Sequence, residues 1–227
     1  MNNLILKLYP QRFLLLLIIL LLILFGSLVF PRNWFEDLIS PILLIINLMA
    51  GIILTYKKPR LMRFLIGLVA LNVLILFSDT VNYNLGINIK VVKLVSYFIF
   101  YGIVTFEIIQ QVANARMVEK NVIIGLICGY LALGLLSFFL FFVIELVEPN
   151  SFSSIVFQEV GDNELPTQRL LYFSFVTLLT IGYGEVVPVS EIAQKAAILV
   201  ALIGQFYIVI LMAIVVGKYI NQFQHDS

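Results

Sequence analysis

The clearest chemistry in this chain of 227 residues lies in five consecutive positions, Thr180-Ile181-Gly182-Tyr183-Gly184. Gly182 and Gly184 can take a positive φ where other residues would strain. Because they alternate with Ile181 and Tyr183, successive carbonyls can turn to the same side of the strand instead of alternating across it. Four such strands around an axis would stack rings of carbonyl oxygens, with the Thr180 hydroxyls as the innermost ring, and such rings can replace the hydration shell of a monovalent cation. Other chemistry has little material. Cys128 is the only cysteine and His225, near the end, the only histidine, so neither an intrachain disulfide, a cysteine metal site nor a histidine-centred catalytic site is expected.

The elements that must position this string belong to a membrane. The chain is 62% apolar and 12% charged, with a net charge of +1 and a mean hydropathy of +1.08. Soluble domains carry roughly 45–50% apolar and about 25% charged residues, so a water-facing fold could not cover its own surface. A soluble enzyme, a disordered chain and a nucleic-acid binder are excluded on these grounds. The expected class is an all-α membrane protein with no catalytic and no cofactor-binding residues. A crossing needs about 20 apolar residues, and six stretches qualify: 13–30, 38–56, 61–78, 91–112, 121–147 and 191–217. Between the last two, 169–181 is apolar but too short to cross alone, which reads as a reentrant pore helix. Non-helical backbone at membrane depth is tolerated only where it is buried in protein or lines a water-filled path. The first stretch is a retained span, since Pro31-Arg32 follows it where a signal peptide would have small residues.

Lys and Arg collect on the cytoplasmic side of membrane proteins. With six crossings and the N-terminus inside, nine of the cations (Lys7, Arg12, Lys57, Lys58, Arg60, Arg63, Arg116, Lys120, Lys218) fall inside and five (Arg32, Lys90, Lys93, Arg169, Lys195) outside. Acids collect outside, among them Glu36, Asp37, Asp79, Glu148, Glu159, Asp162, Glu164, Glu185 and Glu191. A multi-pass protein of the plasma membrane with both termini cytoplasmic is the expectation.

Thr180-Ile181-Gly182-Tyr183-Gly184 resembles the selectivity filter of tetrameric potassium channels, and the surrounding order (outer helix, acidic loop, short pore helix, filter, inner helix) resembles theirs over roughly 121–219. The resemblance implies a homotetramer with K+ as the permeant ion and no cofactor. It makes Thr177 and Glu185 supports of the pore. Glu185 stands where the family usually has Asp, which lengthens the arm. Tyr172 and Phe173 stand where the family often has Trp, and Val176 lacks a carboxylate that some members place behind the filter. Gly204 lies near the family's usual hinge glycine, or else serves close helix packing. Gln205, Ile208 and Met212 share one stripe, which faces either the central cavity or a neighbouring helix.

Six spans with the filter before the last resemble voltage-gated cation channels. A sensor needs cations at every third position through the fourth span. Here Lys90 and Lys93 start such a series, and Ser96, Ile99, Gly102 and Thr105 end it. Snorkelling at the interface is the favoured role for the two lysines. Glu107 within the fourth span is expected to pair with Arg63, as a structural ion pair or a proton-sensing group. Glu145 is expected to brace the pore helix, and Asn47 and Asn72 to bond between helices.

Taken together, 1–120 reads as a four-helix, sensor-like unit without an arginine ladder. Residues 121–227 read as a pore domain: outer helix 121–147, outer loop 148–166, pore helix and filter 167–185, inner helix 191–217. The expected function is passive, potassium-selective conduction without strong voltage gating. Voltage-gated or poorly selective cation channels and a potassium transporter subunit are the alternatives. Partners are K+, membrane lipid and three further copies of the chain; no nucleic acid is expected, and nothing in the sequence specifies a regulatory subunit.

Overall fold

The computed structural model describes residues 8–31, 34–81, 87–115, 117–154 and 167–225. Lys7, Arg32, Arg116, Glu159, Asp162 and Glu164 lie outside the described residues, as do the side chains of Glu36, Asp37, Asp79 and His225.

In lipid every backbone N–H and C=O must find its partner inside the segment, so long Leu/Ile runs become helices. Helix α1 (Arg12–Phe25) is lengthened by 3-10 turns at Tyr9–Gln11 and Gly26–Leu28. A π-helical turn (Phe35–Ile39) leads into α2 (Ser40–Leu54). Then come α3 (Pro59–Val81), α4 (Ile87–Ala113) and α5 (Lys120–Val147), strand β1 (Phe152–Ser154), α6 (Thr167–Leu178), strand β2 (Val186–Pro188) and α7 (Glu191–His225). Among the described residues, five stretches are long and apolar enough to cross a membrane: Tyr9–Leu28, Pro59–Ser78, Asn88–Ala113, Lys120–Val147 and Glu191–Ile220.

The structure is consistent with the expected all-α class and differs from the expected bounds in detail. The stretch expected at 38–56 yields a regular helix of only 15 residues, about 22 Å at 1.5 Å per residue. Pro41 sits in its first turn, and the chain leaves helical geometry at Thr55. Among the described residues, the helices are accompanied by one short antiparallel pairing, of β1 with β2. The last helix runs eight residues past its expected end at 217.

Helix α5 is the core element, and α1, α4, α6 and α7 all pack on it. It is apolar around its whole circumference, as a helix surrounded by others must be. Gly125 leaves room for the Phe13 and Val112 side chains, and Gly129 for the Tyr207 hydroxyl and the Ile108 side chain. On the α4 side, Tyr97 and Tyr101 stack on Phe139 with centroids 5.0 and 5.3 Å away. The expected polar ties between helices are present. Tyr101 Oη donates to Asn47 Oδ1 (2.9 Å), and Asn72 Nδ2 donates to Ser96 Oγ (2.6 Å).

The partner of Glu107 is Lys58, not Arg63. Lys58 Nζ lies 2.5 Å from Glu107 Oε1 and 2.5 Å from Gln110 Oε1. The reason is placement: Lys58 occupies the tight turn between α2 and α3, beside the C-terminal end of α4, while Arg63 is exposed one turn into α3 and bonds back to the Pro59 carbonyl. Nearby, Arg12 Nε donates to Gln111 Oε1 (2.9 Å), whose amide donates to the Leu54 carbonyl (3.0 Å). The N-terminal end of α1 and the C-terminal ends of α2 and α4 are thus tied by polar contacts that cross between helices.

Breaking one partner of a buried pair leaves a charge uncompensated, which costs more than removing both. Because Lys58 is half exposed, the effect is discounted to about 1–3 kcal/mol. Lys58→Met is therefore expected to lower the thermal midpoint of the purified protein in detergent, and Glu107→Gln added to it to restore most of the loss. An additive or larger loss in the double variant would show that the pair is not coupled.

Candidate ion permeation site

The site is built on the end of α6. Leu170, Phe173, Ser174, Val176 and Leu178 of that helix are buried. Phe173 joins an aromatic cluster with Phe141 of α5 and Phe152 of β1, at 5.0 and 5.3 Å. Gly134 of α5 leaves the space in which the Phe175 ring sits, because a Cβ there would come within 2.3 Å of the ring. Close packing on α5 therefore sets the depth of α6.

How α6 ends determines the backbone that follows. Ile181 N–H bonds to the Val176 carbonyl (2.9 Å) and Thr180 N–H to the Thr177 carbonyl (3.0 Å). These two bonds are the Schellman pattern, in which the residue just past the helix takes the left-handed conformation. That residue is Thr180, with φ +57°. Glycine is usual there, and a β-branched residue bears a strain of about 1–2 kcal/mol. The Leu178 carbonyl, freed at the helix end, accepts from Tyr130 Oη of α5 (3.1 Å). On its other side lies Gly204 of α7, where a Cβ would meet that carbonyl at 2.5 Å. Gly204 thus gives α7 its close approach to the end of α6.

Beyond Thr180, Gly182 (φ +60°) and Gly184 (φ +93°) are left-handed while Ile181 and Tyr183 are not. Positive φ at alternate residues makes the backbone handedness alternate along the string, unlike an ordinary strand. All five residues of the string are exposed on the single chain, Tyr183 at 68%. The string is therefore left open on the single chain.

The far end of the string is held by side chains. Tyr172 Oη donates to Glu185 Oε1 (3.3 Å). Desolvation and then the Glu185 carboxylate push the Tyr172 phenol up from its ordinary value, so it remains a donor at neutral pH. The segment after Glu185 becomes β2, pairing with β1 from Phe152↔Pro188 to Ser154↔Val186. Ser151 accepts at its carbonyl from Val189 N–H (2.7 Å), and its hydroxyl meets that of Ser190 (3.0 Å). Ser190 Oγ then accepts from Ala193 N–H (3.2 Å), capping the N-terminus of α7.

Glu145 acts at one remove from α6. Its two oxygens accept from Asn150 N–H (2.9 Å) and Phe152 N–H (3.0 Å), which shapes the turn into β1. The expected direct brace of α6 is thus replaced by a brace of β1, which in turn carries Phe152 onto Phe173. Sequence reasoning missed Tyr130, Ser151 and Ser190. Only Ser190, a Ser immediately before Glu191 and an apolar run, had a local signature.

Along α7, Ala193, Ala196, Val200, Tyr207, Leu211 and Val215 are buried at helical spacing. Tyr207 Oη donates to the Leu126 carbonyl of α5 (2.7 Å). Gln205, Ile208 and Met212 lie to one side of that stripe and are exposed on the single chain. At the other end of α7, Lys218 Nζ donates to the carbonyls of Ala113 and Ala115, and Gln222 Oε1 accepts from Val118 N–H (3.1 Å). This end of α7 is tied to the segment that joins α4 to α5.

The two tyrosine contacts differ in burial, and so should their worth. Tyr130→Phe leaves the Leu178 carbonyl without its donor and is expected to cost about 1–2 kcal/mol. Tyr172→Phe removes an exposed bond and is expected to cost under about 1 kcal/mol. Thermal denaturation of both variants checks this ranking, and the reverse order would contradict it.

No curated protein and no solved structure matches the chain. Residues 126–221 match the family model described as ion channel. The matched segment contains most of α5, all of α6, the string 180–184 and α7 as far as Asn221. This part of the chain is similar to an ion-channel domain, and the apolar helices around it suit a multi-pass membrane protein.

Proposed function

We propose that the chain is one subunit of a homotetrameric, potassium-selective channel that conducts K+ passively and is not strongly voltage-gated. The observation that carries this reading is the alternation of backbone handedness along Thr180–Gly184, from which each chain would contribute a single open wall of carbonyl oxygens. Copies arranged about an axis close that wall into rings, and a dehydrated monovalent cation is the ligand that such rings suit. Thr177 contributes its carbonyl to the turn that launches the string, and Glu185 anchors the other end through Tyr172. The C-terminal end of α6 directs its partial negative charge toward the space beneath the string, which favours a cation there.

In this reading 1–120 forms a peripheral helical unit and 121–227 the pore, with six crossings that count the short α2 and with both termini in the cytoplasm of a cell bounded by this plasma membrane. Gln205, Ile208 and Met212 line the central cavity or the contact with the next subunit, and Gly204 is the point about which α7 would bend. Weak voltage dependence follows from α4. Past Lys93 its three-residue series carries Ser96, which accepts from Asn72, and then Ile99, Gly102 and Thr105. Two lysines at one end move little charge through the field, at about 2.3 kcal/mol per charge per 100 mV.

A Cβ at Gly182 would meet nothing within 4 Å of the single chain. Gly182→Ala is therefore disfavoured through its φ of +60° and not through crowding within the subunit. We expect it to abolish K+ flux into liposomes while the protein still inserts and assembles; undiminished flux would overturn the assignment of the string. In planar bilayers, wild-type conductance should change only shallowly with voltage, and a steep sigmoidal dependence would overturn the account of α4.

A further inference from the structure

Away from the string, the bundle holds a cavity of about 280 Å³ between α1, the start of α2, α4, α5 and α6. Its walls are apolar: Ile23, Leu94, Tyr97, Phe139 and Leu171 are among the side chains that line it. Its lining also includes Lys90 and Lys93 of α4, with Thr167 and Gln168 from the first turn of α6. Lys90 is exposed, one turn from Lys93, so both ammonium groups sit at the same end of the bundle as the start of α6. These are the two lysines whose spacing begins a cationic ladder that the rest of α4 does not continue.

We propose that this cavity is a binding site for an anionic phospholipid of the adjoining leaflet, with one acyl chain in the cavity and the phosphodiester at Lys90 and Lys93. The charge and the shape select this occupant together. An apolar chamber between membrane helices takes an acyl chain at little cost, whereas water there would find few polar partners. A cation pair at its rim adds attraction for a net negative headgroup, about fivefold in affinity for each lysine. A cavity of about 280 Å³ has room for part of one chain, which leaves the second chain in the bilayer. A chain so placed touches Leu171 on α6, the helix whose end sets the geometry of the string. The lipid is thereby placed to stiffen the packing of α6 against α4 and α5. Binding itself does not depend on what the pore conducts. Only an effect on flux rests on the potassium reading, so the two fail separately.

The test uses the full assembled protein, purified in mild detergent, with phosphatidylglycerol, phosphatidylcholine or oleate added as probes. Retained lipid is counted by native mass spectrometry, and the thermal midpoint is followed in parallel. The wild type should retain about one phosphatidylglycerol per subunit, in preference to phosphatidylcholine, and be stabilised by it. Lys90→Gln with Lys93→Gln, both at the rim, should fold normally and lose that preference by about 25-fold. Leu94→Trp should fill the chamber and reduce retention of either lipid. Equal retention of the two phospholipids by the wild type would overturn the proposal, as would unchanged preference in the lysine variant. Displacement of phosphatidylglycerol by stoichiometric oleate would also overturn it, assigning the cavity to a free fatty acid.

Discussion

Backbone groups packed among helices need partners, and the end of α6 is where this chain stops being a helix after only 12 residues. The solution is local and dense. Two reverse-turn bonds close onto Val176 and Thr177, Tyr130 takes up the Leu178 carbonyl, and Gly204 lets α7 close over it. The same closure forces Thr180 into the left-handed region. From there the two glycines continue an alternation that no ordinary strand would sustain. The packing of α5 against α4, α1 and α7 serves this junction, since α5 supplies both Tyr130 and the Gly134 groove that seats Phe175.

The strain at Thr180 shows how the string is held. A threonine in that conformation persists only when the surroundings over-determine it. Here they do so from both sides. Upstream lies the Schellman turn, and downstream lie the Tyr172–Glu185 bond and the short β1–β2 pair. Glu145 belongs to the same scheme although it never touches α6, because it shapes the turn that presents Phe152 to Phe173. At the opposite end of the bundle, Lys218 and Gln222 fasten α7 to the α4–α5 connection. A movement of α4 or of that connection would therefore reach α7 directly.

The parts of this arrangement that were legible in the sequence are those written in runs or in consecutive residues. Long apolar stretches read as helices because lipid enforces that outcome, and the Gly-X-Gly string read as backbone chemistry because glycine has few other uses at membrane depth. What escaped depends on long-range placement. Nothing adjacent to Tyr130 announces that its hydroxyl meets a carbonyl 48 residues away. Phe173 has no donor, and the clasp on Glu185 comes instead from Tyr172, which the sequence did not distinguish. Arg63 and Lys58 were equally plausible partners for Glu107 by depth, and the tight turn after α2 decided for Lys58. The strands of three residues are too short to show a period of two, and the shortened α2 was hidden inside an apolar stretch of adequate length.

The central claim is that backbone carbonyls from identical copies of Thr180–Gly184 select the ion. The most direct measurement is the reversal potential of the purified wild-type protein in a planar bilayer, with K+ on one side and Na+ on the other. Rings of carbonyls sized to a dehydrated K+ predict reversal close to the K+ equilibrium potential, with negligible Na+ current. Reversal near zero, or a current carried as well by Na+ as by K+, would contradict the account.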